Sequence, residues 1–209
     1  MNKTVALLIL CAIVQVVPSY AQIEQSRVRL KVGMKAGFNI SNVSDKQGPT
    51  FDVTSKKGIV SGVFVVIPLC ERLRLQPELL LSQKGFKASG DLMGFNYTFS
   101  RITTYLDLPI LLHWRLLRSF AVVAGPQYGY LILQKDEREF GHNEEALDFE
   151  FSQEQMRNGT LGMTAGLELA LDPMVLSCRA GIDFQNNITT TSTPQYKNRW
   201  LQFALGLNF

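Results

Sequence analysis

The sequence predicts an all-β protein, an eight-stranded antiparallel up-and-down transmembrane β-barrel with four long external loops and three short periplasmic turns. Three observations carry that expectation. From Lys31 onward apolar and polar residues alternate with period 2 in eight separate runs, the mark of strands with two different faces. The connections between runs alternate between long, polar segments and short ones, as in outer-membrane barrels. One face of the runs carries glycine, alanine and charge while the other carries Leu, Ile, Val and Phe, which suits a crowded polar lumen wrapped by lipid.

Taken in order, the chain opens with MNKTVALLILCAIVQVVPSYAQ: a lysine, an apolar run from Val5 to Val17, a breaker at Pro18, and small residues Ser19 and Ala21. That layout predicts a signal peptide over 1–21, removed after Ala21 on export. Residues 22–30 then form a short periplasmic segment, and 31–209 form the outer-membrane barrel domain. The apolar run is shorter than the roughly 20 residues a spanning helix needs.

The first strand, about Lys31 to Ser41, sets Val32, Met34, Ala36, Phe38 and Ile40 against Lys31, Gly33, Lys35, Gly37 and Asn39. The second, about Lys57 to Ile67, is apolar on both faces, so its orientation cannot be read. The third, about Arg72 to Lys84, places Arg74, Gln76, Glu78, Leu80, Ser82 and Lys84 on one side. In the fourth, TYLDLPILLHW, counting by twos sends Leu106, Leu108, Ile110 and Leu112 to lipid, and Arg101, Asp107, Pro109 and His113 to the lumen. Pro109 has no N–H for the ladder of an interior strand, so a bulge or a missing hydrogen bond is expected there.

The fifth strand, Phe120 to Leu131, turns Phe120, Val122, Tyr128 and Tyr130 away from Gly125, Gln127 and Gly129. The sixth, Thr160 to Leu171, puts Glu168 inward. The seventh, Val175 to Gln185, does the same for Arg179 and Asp183, and the eighth runs from Arg199 to Phe209. Long connections are expected near 42–56, 86–97, 132–159 and 186–198, with turns near 68–71, 116–119 and 172–174. Aromatic belts are expected from Trp114, Phe120 and Phe209 at the periplasmic level and from Phe38, Tyr128 and Phe184 outside.

GMKAGFNIS in the first strand, LQPELLLSQKG in the third, YLDLPILLHW in the fourth, AGPQYGYLI in the fifth and the closing phenylalanine resemble the PorT-like outer-membrane β-barrel family of Bacteroidota. The resemblance spans nearly the whole exported chain and is most specific at Tyr-Leu-Asp-Leu-Pro. It implies an eight-stranded outer-membrane barrel. Its founding member is tied to type IX protein secretion, a role not carried over because fold alone does not set function.

Composition narrows the chemistry. The 209 residues are 46% hydrophobic with a formal charge of +3, which suits one domain and gives no reason to expect nucleic acid as a partner. Lumen positions collect Lys35, Arg74, Glu78, Lys84, Arg101, Asp107, His113, Arg115, Glu168, Arg179 and Asp183, expected to form a salt-bridged polar network filling a narrow interior. Arg74 and Arg101 are the expected ion partners of Glu78 and Asp107. Neither His113 nor His142 has a serine and a carboxylate placed beside it by strand register, so no catalytic group is assigned, and no cofactor or metal ligand set is expected.

The acidic segment after the fifth strand offers Glu144, Glu145, Phe149 and Phe151 for an envelope partner, without the spacing of a calcium loop. Cys70 and Cys178 fall on non-adjacent strands and are expected to be free thiols. The reading is a monomeric outer-membrane protein, exported by its signal peptide, surrounded by lipid, with a structural or interaction role. The alternatives are an accessory of protein secretion or transport across the outer membrane, and a secreted lipocalin-like carrier.

Overall fold

The computed structural model describes residues 30–47, 52–92, 95–140, 157–186 and 195–209. Among them are β1 (Lys31–Gln47), β2 (Asp52–Pro68), β3 (Leu73–Leu92), β4 (Phe95–Arg115), β5 (Phe120–Phe140), β6 (Gly159–Leu171), β7 (Met174–Asp183) and β8 (Gln195–Asn208). Each pairs antiparallel with its sequence neighbour, and β1 pairs with β8 to close the barrel. Closure satisfies every strand edge, which hydrocarbon demands because it offers no hydrogen bonds of its own. Among the described residues no helix is long and apolar enough to cross a membrane. The proposed leader and the 22–29 segment lie outside the described residues, as do Glu144, Glu145, Phe149 and Phe151.

The turns at 69–72, 116–119 and 172–173 are as short as expected and share one end of the barrel with Leu30 and Phe209. At the other end the strands run on past their expected limits. Segments 42–56 and 86–97, read from sequence as loops, are mostly strand: β1 reaches Gln47, β3 reaches Leu92, and β4 begins at Phe95. Around 42–47 and 87–91 polar or small residues fall on both faces, so the alternation fades while backbone pairing continues.

Burial alternates as the barrel requires. On β4, Asp107, Leu111 and His113 are buried at 8% exposure or less, whereas Leu108, Ile110, Leu112 and Trp114 are 41–56% exposed. Charges point inward and large apolar groups outward, the inverse of a soluble carrier, which rules out the lipocalin-like alternative. The ambiguous β2 resolves with Val60, Phe64 and Val66 inside and Ile59 and Val63 outside. Aromatics Phe38, Trp114, Tyr128, Phe184 and Phe209 are all exposed on the outer surface. Cys70 and Cys178 are free thiols, on the β2–β3 turn and on β7.

Pairing beside Pro109 lapses without slipping. Paired residues run from Pro77 with Ile110 directly to Leu80 with Asp107, so the register across the gap is unchanged. A missing ladder contact, not a bulge, accommodates the imide nitrogen. Register shifts lie elsewhere, between Ser44 and Gln47 on β1, between Ser55 and Val60 on β2, and on β4, where Thr104 pairs with Leu133 but Tyr105 pairs with Leu131. Ile132 is the extra residue there, and Ile132 and Leu133 are consecutively exposed, as an inserted residue makes them.

Candidate functional site

Inward positions on β1, β3, β4, β6 and β7 converge in the half of the lumen nearest the short turns. Lys35 faces Gly62 on β2 and Gly206 on β8, so its long side chain lies across bare backbone toward β3. There its Nζ donates to Glu78 Oε1 at 2.8 Å. Its ammonium also lies 5.1 Å from the Phe64 ring centroid, a cation–π distance. Gln76 Nε2 donates to the same Glu78 oxygen at 2.7 Å.

Arg179, opposite Gly166 on β6, reaches across the barrel. Its Nη1 donates to Glu78 Oε2 at 2.8 Å and its Nη2 to Glu78 Oε1 at 2.9 Å, the bidentate geometry that matches a guanidinium to a carboxylate. Nη2 also pairs with Glu168 Oε1. Glu168 Oε2 takes the remaining link, 2.9 Å from His113 Nε2, where the carboxylate accepts and Nε2 carries the hydrogen. The chain Lys35–Glu78–Arg179–Glu168–His113 thus spans the lumen, with every side chain in it at most 10% exposed. Burying one such charge alone costs several kcal/mol, roughly; joined in opposite-sign pairs with extra hydrogen bonds, the cost is offset.

A second layer lies farther from the turns. Lys84 Nζ is 3.1 Å from Asp107 Oδ2 and sits 3.9 Å from the Trp200 ring centroid and 4.9 Å from that of Tyr105. Asn198 donates to Asp183 Oδ2 at 3.1 Å, and Arg101 donates to the Tyr196 hydroxyl at 3.1 Å. Between the layers, Asn39 donates to Ser82 Oγ at 2.9 Å and accepts from Gln202 at 3.2 Å.

Two expectations are corrected here. Glu78 and Asp107 pair with Lys35, Arg179 and Lys84 instead of with Arg74 and Arg101. Arg74 lies four residues from Glu78 on the same strand, about 13 Å at roughly 3.3 Å per residue, and is half-buried at the barrel mouth. His113 does have a carboxylate beside it, Glu168 on β6, which register between adjacent strands cannot reveal because β5 stands between. Lys84 was expected among the inward charges and is found there, whereas Asn39, Asn198, Trp200, Tyr196 and Gln202 were missing from the expected network. Their signal was the same inward parity, but it was sought only among charged residues.

Chemically, the arrangement fills the lumen. The His113–Glu168 pair has the form of a base with its orienting group, yet Glu168 is also engaged by Arg179. Among the described residues no three His, Cys, Asp or Glu groups converge as metal ligands do.

Residues 20–199 match the outer membrane protein beta-barrel domain family. No curated protein matches the sequence. Solved structures similar to the chain include Neisserial surface protein A, from Neisseria, at 10% identity and TM-score 0.42, covering 86% of this chain and 97% of that one. Ail, the attachment invasion locus protein of Yersinia pestis, is similar at 11% identity and TM-score 0.45, with 86% and 98% covered. OprG of Pseudomonas aeruginosa is similar at 10% identity and TM-score 0.45, with 88% and 98% covered.

Proposed function

The chain belongs to the outer membrane protein beta-barrel domain family and is an outer-membrane protein, and on that premise we propose that it is a lumen-plugged membrane barrel with a structural or interaction role and no catalytic activity. The observation that carries the reading is the ion chain from Lys35 to His113. An eight-strand interior is just wide enough for side chains, and this one holds paired charges, so the surfaces left for function are the barrel ends. The acidic segment with Glu144, Glu145, Phe149 and Phe151 is the proposed contact for envelope proteins. Export by the 1–21 leader, a monomeric state and membership of the PorT-like group of Bacteroidota belong to the same proposal, supported by the sequence features above.

The test is reconstitution into planar bilayers together with a photo-cross-linking amino acid at position 149 in cells. Wild-type protein is expected to give no steady conductance steps and to trap a defined envelope protein. Sustained conductance sinks the plug, and absence of any adduct sinks the interaction role.

A further inference from the structure

Below the lumen plug, at the end carrying the short turns, the barrel opens into a cup of about 470 Å³. That lies within the roughly 300–1,000 Å³ range typical of small-ligand pockets. Its floor is Gln76, His113 and Glu168, and its wall includes Arg74, Arg115 and Arg118.

The charge of the cup is one-sided. Glu168 is compensated by Arg179 and accepts a hydrogen bond from His113, and the exposed Asp172 faces Lys31 at 3.8 Å. Arg74 and Arg118 have no carboxylate within pairing distance among the described residues. Arg115 donates to the Glu71 backbone carbonyl at 2.5 Å, which leaves its charge unopposed. Arg74 and Arg115 are also near enough to repel one another. Guanidinium groups brought together without counter-charge suit an oxyanion, and phosphoryl oxygens match their planar fork.

A second observation comes from the floor. His113 is 8% exposed, and its Nδ1 has no hydrogen-bond partner in the protein; the side-chain oxygen of Asn208, also lining the cup, has none either. Native structures pair nearly all such buried atoms, so two at one cavity call for something besides protein.

We propose that this periplasmic cup binds a phosphoryl group, presented by an inner-leaflet phospholipid or by a soluble phosphorylated molecule. Arg74, Arg115 and Arg118 hold the anionic oxygens, while His113 Nδ1 and Asn208 Oδ1, both acceptors, take hydrogens from hydroxyl groups of the same ligand or from water between them. The site lies at the opposite end of the barrel from Phe140, where β5 ends, and does not depend on the interaction role proposed for the acidic segment.

The test uses the full exported chain, folded in an uncharged maltoside detergent. It is titrated with pyrophosphate and, separately, with dihexanoyl phosphatidylglycerol below its micelle concentration, following heat release and the His113 ring resonances. Saturable binding of either probe with a shift at His113 is expected. Arg74→Gln with Arg115→Gln should weaken it about tenfold or more, the scale of one lost charge-assisted hydrogen bond. Lys57→Gln, at an exposed position on β2 far from the cup, should leave it unchanged. Binding of pyrophosphate alone assigns a soluble source, and binding of the lipid alone assigns a headgroup. Should the double variant fail to fold, Arg118→Gln in the exposed turn carries the same comparison. No saturable binding, or binding lowered equally by Lys57→Gln, overturns the proposal.

Discussion

Arg179 on β7 grips Glu78 on β3 with both ends of its guanidinium, at 2.8 and 2.9 Å, across the full width of the lumen. The two residues are 101 apart in sequence, and their contact exists only once the sheet has closed. It couples barrel closure to charge neutralisation, because neither group has water to fall back on.

Arg179→Gln is therefore expected to be strongly destabilising, by about 3–5 kcal/mol, since it leaves Glu78 and Glu168 buried without their shared cation. The triple change Arg179→Gln, Glu78→Gln and Glu168→Gln removes the charges together and should recover a large part of that loss. Urea unfolding in phosphocholine vesicles, read by the heat-dependent shift of the folded band on gels, checks both. A triple variant no better than the single one would contradict the account.

Glycine content inside the barrel makes a second expectation, and it differs between positions. A Cβ at Gly125 would lie 2.9 Å from the Ile110 carbonyl carbon and 3.0 Å from Leu111 Cα, both backbone, so Gly125→Ala should cost about 1–3 kcal/mol by overpacking. At Gly206 the nearest atom is Phe64 Cε1 at 3.3 Å, a side chain that can yield. Gly206→Ala should cost about 1 kcal/mol or less. The same unfolding measurement ranks them.

The two tryptophans sit on opposite faces: Trp114 is 56% exposed toward lipid and Trp200 is 4% exposed in the lumen. In vesicles of brominated lipid, the Trp200→Phe variant should retain emission that the bromine atoms quench strongly. The Trp114→Phe variant should be quenched little. Equal quenching in the two would mean that β4 or β8 faces the other way.

Cys70 is exposed in the turn between β2 and β3, and Cys178 is half-buried on the outer surface of β7. A membrane-impermeant maleimide added to intact cells should leave Cys70 untouched and should label it once the outer membrane is permeabilised. Cys178 should react only with a lipid-soluble reagent. Labelling of Cys70 in intact cells would invert the proposed orientation.

Much of this fold was legible beforehand because side-chain direction in a strand is a covalent property of the backbone, alternating residue by residue. Counting by twos was enough to send Leu108, Ile110 and Trp114 outward and Asp107, His113, Glu168 and Arg179 inward, to number the strands, and to place the short turns. It failed where the local signal is weak or was passed over. The outer parts of β1 and β3 mix polar residues on both faces, the inner part of β2 is apolar on both, β4 alternates Phe95, Tyr97 and Phe99 with polar residues inside a stretch read largely as loop, and the Ile132 bulge leaves no mark in the alternation.

What only the tertiary structure decided is who meets whom inside. Strand tilt and the shear of closure bring Arg179 to Glu78 and His113 to Glu168, past intervening strands whose glycines leave room. Those distances depend on barrel curvature, a property of all eight strands together, so no single stretch of sequence contains them.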